Sequence, residues 1–62
     1  ELSRRELNVL RYLPSELTNP EIAAQLDITT NTLKTHVRSL YRKLGVTSRA
    51  AAVHAARDAG LL

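Results

Sequence analysis

Asn31, Lys34, Thr35, Arg38, Arg42 and Lys43 fall within thirteen residues, and each carries a hydrogen-bond donor. No acidic residue occurs between Asn31 and Arg57. Donors without carboxylates of their own seek acceptors elsewhere. Phosphate oxygens are one class, and the O6 and N7 atoms of guanine, which Arg and Lys can bond, are another. Threonine adds a hydroxyl and a methyl. This is binding chemistry. No nucleophile–base pair, phosphate-binding glycine loop or metal-ligand cluster accompanies these residues, so neither catalysis nor a cofactor is expected.

Such residues form a site only if a helix gathers them on one face. Residues 21–26 read EIAAQL, a short amphipathic helix, and DITT follows as a tight link. NTLKTHVRSLYRKL then reads as a longer helix ending at Leu44. This is the pattern of a helix-turn-helix, in which the first helix braces and the second lies in the DNA major groove. The expected partner is double-stranded DNA.

The longer helix has two faces. With Leu33 as origin and about 100° per residue, Val37 lies at about 40°, Leu40 at about −20° and Leu44 at about 20°. Lys34 lies at about 100°, Arg38 at about 140°, Asn31 at about 160°, Arg42 at about 180° and Thr35 at about 200°. Bases are usually reached from the N-terminal half of a recognition helix. Lys34, Thr35 and Arg38 are therefore assigned to base edges. Thr30, Asn31 and Thr32 sit at the helix N-terminus, where amides and hydroxyls suit a phosphate. Arg42 and Lys43 are placed toward phosphates at the other end. The plainer reading is a solvated outer face, but that predicts mixed charges with Glu–Lys pairs four apart, and none occur here.

Caps mark the other elements. Ser3 with Glu6, and Thr18 with Glu21, have capping-box spacing, and Pro20 falls in a first turn where its missing N–H costs nothing. Leu2 stands where a hydrophobic staple would. Pro14 disfavours helix at Leu13 and closes the first helix. The second helix is expected over residues 19–26. Thr29 caps the third, Gly45 ends it, Ser48 caps the fourth, and Gly60 stops that one near Ala59. The expected fold is all-α, a small four-helix bundle containing a helix-turn-helix. Ile22, Leu26, Ile28, Leu33, Val37, Leu40 and Leu44 should form the core between the second and third helices.

The fourth helix is rich in alanine. Ala52, Ala56 and Ala59 should face the core, leaving Ala50, Ala51, His54 and Ala55 as a small-residue patch for a twin helix. A homodimer through that patch is expected. His36 reads as a packing residue, with phosphate contact the minor alternative. Tyr41 reads as core edge. Glu6 has a capping role and a second option, an ion pair with Arg49.

The totals agree with a binding domain. Residues 1–30 hold three Arg against four Glu and one Asp, net −2, while residues 31–62 hold six cations against Asp58, net +5. A one-sided basic field attracts phosphate backbones. The chain has no Cys, so there is no disulfide or thiolate site. His36 and His54 stand apart with no acidic cluster near them, and no metal site is expected. No apolar run approaches the roughly 20 residues needed to span a bilayer. A cytoplasmic protein is expected. With 62 residues and no Met, the chain reads as the effector domain of a longer regulator.

LSRRELNVLRYL, LTNPEIAAQLDIT and NTLKTHVRSLYRKLGVTSRAAAV together resemble the LuxR-type DNA-binding domain. That domain closes bacterial response regulators of the NarL/FixJ kind and quorum-sensing regulators. KTHVRSLYRKLG and the closing ARDAGLL are similar to the large ATP-binding members. The resemblance spans nearly the whole chain, residues 1–62, as a C-terminal effector domain. It implies that Lys34, Thr35 and Arg38 face bases and that Thr32 and the basic helix end meet phosphates. It also implies that the fourth helix makes the dimer contact. Thr29-Thr30, Leu33 and the Pro14–Glu16 link depart from the usual pattern. RNA polymerase is a further partner such regulators can have. Two rivals stand beside this reading. One is a sigma factor's promoter-reading helix-turn-helix, which usually lacks the KLGVxSRxxAV continuation. The other is a basic helical module that docks an acidic protein.

Overall fold

The computed structural model describes residues 1–62. Four helices follow one another: α1 (Arg4–Tyr12), α2 (Asn19–Leu26), α3 (Thr30–Leu44) and α4 (Arg49–Asp58). There are no strands, and the fold is an all-α bundle of 28 × 21 × 19 Å. α3 is the centre, packing against α1, α2 and α4.

Both capping boxes form as their spacing predicts. The Ser3 hydroxyl accepts from the Glu6 amide while a Glu6 carboxylate oxygen accepts from the Ser3 amide at 2.7 Å. Thr18 and Glu21 repeat the exchange on α2. Three helix ends share one closing device. At Asp27, Gly45 and Gly60 the chain turns left-handed, with φ of 59°, 71° and 75°. The next residue then donates back to a carbonyl five positions earlier: Ile28 to Ala23, Val46 to Tyr41 and Leu61 to Ala56. Each of those three residues is apolar, as this motif favours. The Leu61 amide thus closes α4, while its exposed side chain lies along a cleft with Leu2, Leu7 and Leu44.

The core is Val9, Leu10, Leu13, Ile22, Ala23, Leu33, Leu40, Ala52 and Ala56. Ile22, Leu33 and Leu40 are buried as the phase of α2 and α3 requires. Leu26, Ile28, Val37 and Leu44 are half-buried and pack around that centre rather than forming it. α1 fills the space they leave, through Val9, Leu10 and the post-helix Leu13. Ala59 corrects an expectation: it is exposed, because α4 ends at Asp58 and Ala59 is its C-cap.

Candidate nucleic-acid interface

Burial of Leu33 and Leu40, both at 0% exposure, fixes the rotation of α3. The opposite face is thereby turned to solvent. Asn31, Lys34, Thr35, Arg38 and Arg42 are all exposed on it. The helix thus brings together the three residues assigned to bases, and α3 itself carries no carboxylate.

The N-terminal end of α3 is built differently from those of α1 and α2. The Thr29 hydroxyl accepts from the Thr32 amide at 3.1 Å and donates to the Thr32 hydroxyl at 2.9 Å. Thr32 is exposed, and its own hydroxyl proton remains for an outside acceptor. No acidic residue lies in the first turn of α3. The positive end of the helix dipole and the first-turn amides are left without a carboxylate of the chain's own. Thr30 is half-buried beside them.

Lys43 sits elsewhere than its neighbour in sequence suggests. One residue past Arg42 is about 100° further round the helix, and this carries Lys43 toward α1. Its ammonium donates to Glu6 at 2.9 Å and to the Glu1 carbonyl at 3.0 Å. Two of its three N–H donors are thus engaged within the domain. Glu6 is the one buried charged residue, at 4% exposure. The Ser3 amide, then Ser39 and Lys43, hold its carboxyl down from 4.5 to about 2, against a desolvation that pushes it up. The resulting polar seam ties the start of α1 to the end of α3.

The capping role of Glu6 holds, and its second option, a pair with Arg49, is replaced by this seam. Arg49 instead donates to four main-chain carbonyls: Leu13 at 2.8 Å, Leu17 at 2.7 Å, Ser15 at 2.9 Å and Tyr12 at 3.2 Å. It satisfies the end of α1 and the loop beyond it, where Leu13 keeps the right-handed conformation (φ −62°, ψ −35°) that Pro14 is expected to disfavour, and no left-handed residue closes the helix. Sequence reasoning missed this role because carbonyls belong to every residue and leave no side-chain signature. The one available signal was an arginine in the first turn of α4, where the helix dipole disfavours a cation. Tyr41 is half-buried as expected; burial pushes its phenol up and the nearby Arg49 charge opposes this.

On α4, Ala50 and His54 are exposed, while Ala51 and Ala55 are half-buried. An open cleft of about 490 Å³ runs beside Ala50 and His54, with Leu13, Pro14 and Val53 along it. No helix is long and apolar enough to cross a membrane, and no group of acidic or His side chains could hold a metal ion.

The family model for bacterial regulatory proteins of the luxR family matches residues 1–56. The fold is also similar to the crystal structure of the response regulator ChrA of a heme-sensing two-component system. That match has a TM-score of 0.95 and 45% sequence identity. It covers all of this chain and 31% of that one, so the chain spans about a third of its structural neighbour.

Proposed function

This chain belongs to the luxR family of bacterial regulatory proteins and is the DNA-binding domain of a transcription regulator; from that premise we propose how it reads duplex DNA. α3 lies in the major groove. Lys34, Thr35 and Arg38 meet base edges, and Lys34 and Arg38 bond guanine O6 and N7. Thr30, Asn31 and Thr32 hold a phosphate at the start of α3. Arg42 holds another at its far end. Lys43, about 100° further round and beside α1, offers its third N–H to the backbone from there while its ammonium is shared with Glu6. The observation that carries this reading is the exposed α3 face, rich in donors and free of carboxylates, above a helix start without an acidic residue.

Two copies pair through Ala50, Ala51, His54 and Ala55 of α4 and bind two half-sites. That patch is small, so pairing occurs mainly on DNA. The likeness to a response regulator supports a parent protein of that type, cytoplasmic and acting on RNA polymerase at promoters.

The test begins with selection of bound sites from random duplex DNA by the 62-residue chain. Lys34→Ala, Arg38→Ala and Arg42→Ala are then measured on the selected site and on scrambled duplex across a salt series. Lys34→Ala and Arg38→Ala should each cost about 1–3 kcal/mol and relax preference at one base pair. Arg42→Ala should weaken both duplexes alike and lower the salt slope by about one unit. Equal losses on both duplexes for Lys34→Ala and Arg38→Ala would mean that α3 touches backbone only.

A further inference from the structure

Two threonines on α3 use their hydroxyls in opposite ways. Thr32 accepts from Thr29 at 2.9 Å and keeps its proton for an outside partner. Thr35 donates to the Asn31 carbonyl at 3.2 Å. A hydroxyl has one proton, and in Thr35 it is committed to the helix's own backbone. The same bond holds the side chain's rotamer, because threonine in a helix has few wells and bonding the carbonyl four residues back selects one of them. What Thr35 still offers is an oxygen lone pair and its Cγ2 methyl.

Thr35 is exposed on the same face, about 60° round the helix from Arg38. Asn31, Lys34, Arg38 and Arg42, the other exposed side chains of that face, end in an amide, an ammonium and two guanidiniums. The Thr35 methyl is the one apolar terminus among the five. In the major groove the C5 methyl of thymine is the one apolar group that a base pair presents. We infer that Thr35 reads a thymine methyl through Cγ2, with its hydroxyl serving as an internal strut and not as a base donor.

This rests on the reading above that α3 enters the major groove, and it adds the base. Each half-site should hold a T·A pair within reach of Thr35, next to guanines read by Lys34 and Arg38. Docking against a cytosine or adenine amine instead would use the lone pair but press the methyl against a polar edge.

The experiment replaces each thymine of the selected site, one at a time, with deoxyuridine, which removes only the methyl. Binding is measured for the unchanged chain, Thr35→Val, Thr35→Ser and, as a control, Lys34→Ala. One thymine per half-site should respond, its loss of the methyl costing about fourfold in Kd, the worth of one buried methyl. Thr35→Val keeps the methyl and should match the unchanged chain on both duplexes. Thr35→Ser keeps the hydroxyl and should bind the thymine and uracil duplexes equally. If no thymine responds while Lys34→Ala still relaxes preference, the thymine assignment falls and the base-reading face stands. A tenfold loss by Thr35→Val on the thymine duplex would show that the hydroxyl makes the contact, overturning the inference. If neither the base analogue nor Lys34→Ala alters preference, the base-reading face and this inference fall together.

Discussion

At the start of α2 the chain supplies its own anion: Thr18 caps, and Glu21 reaches back to the Thr18 amide at 2.8 Å. At the start of α3 the same geometry is laid out with the carboxylate missing. Thr29 caps, and the residue three further on is Thr32, which can only extend a hydroxyl. The two starts have the same cap residue and the same spacing, and the residue three positions on, Glu21 against Thr32, decides whether the box closes. α2 is a brace and is closed on itself. α3 has no carboxylate of its own at its positive end. The difference costs α3 a carboxylate near its dipole, worth about 0.3–1 kcal/mol, and leaves a place where a phosphate can supply the missing charge.

The largest expected effect removes the ground on which both starts stand. Leu33→Ala or Leu40→Ala should cost about 2–5 kcal/mol, because each empties a fully buried position of so small a core. Thermal unfolding by circular dichroism checks this; an unchanged Tm would mean that the phase of α3 is wrong. The most direct inversion of the comparison is Thr32→Glu, which gives α3 the capping box of α2. Stability should rise by about 0.3–1 kcal/mol. DNA affinity should fall by about tenfold or more, since the new carboxylate faces phosphate. A variant that became more stable and bound DNA as before would show that the start of α3 is not a phosphate site. The converse change, Glu21→Ala, should lower Tm slightly and leave DNA affinity unchanged.

A smaller effect separates the α1 box from the α2 box. Glu6 is a capping residue that is also latched to α3 through Lys43. Its folded pKa, about 2, lies below the ordinary 4.5. A depressed carboxyl stabilises the fold above its unfolded pKa, and that contribution is lost as pH falls from about 4.5 toward 2. The full shift would be worth about 3 kcal/mol. Solvent at Lys43, whose side chain is 35% exposed, reduces this to about 1–2 kcal/mol. Glu6→Gln should flatten the decline of Tm across that window, and Glu21→Gln should alter it far less. Last comes the turn between the two helices. Asp27 holds φ of 59° where α3 ends on Gly45 with φ of 71°. Asp27→Gly should raise stability by about 0.5–1 kcal/mol. Gly45→Ala should lower it by about 1 kcal/mol from backbone strain alone, since an added Cβ there meets nothing within 4 Å.

Local signals in the sequence carried most of the architecture. The bounds of α2 and α3 follow from Thr18, Thr29 and Gly45, because a cap is a contact between residues two or three apart. The polar face of α3 follows from periodicity in the same way. What escaped is long-range. The partner of Glu6 depends on where α1 crosses α3, and spacing cannot tell Lys43 from Arg49 at that distance. Lys43 was assigned to phosphate beside Arg42, and its ion pair with Glu6 left no mark in the spacing. Ala59 was counted as core by a period that the helix does not live to complete. The left-handed turn at Asp27 was hidden because aspartate there is permitted rather than required.

Arg49 sets a floor on how small this reading unit can be made. A chain cut after Gly45 would keep the brace, the turn and the recognition helix intact as sequence. It would also strip the donors from the carbonyls of Tyr12, Leu13, Ser15 and Leu17 and uncover the side of the core sealed by Ala52 and Ala56. The loop that launches α2 would lose its anchor, and with it the angle at which α2 presents α3. Anyone miniaturising this domain for DNA targeting must therefore transplant a guanidinium to that loop from another direction before discarding the fourth helix.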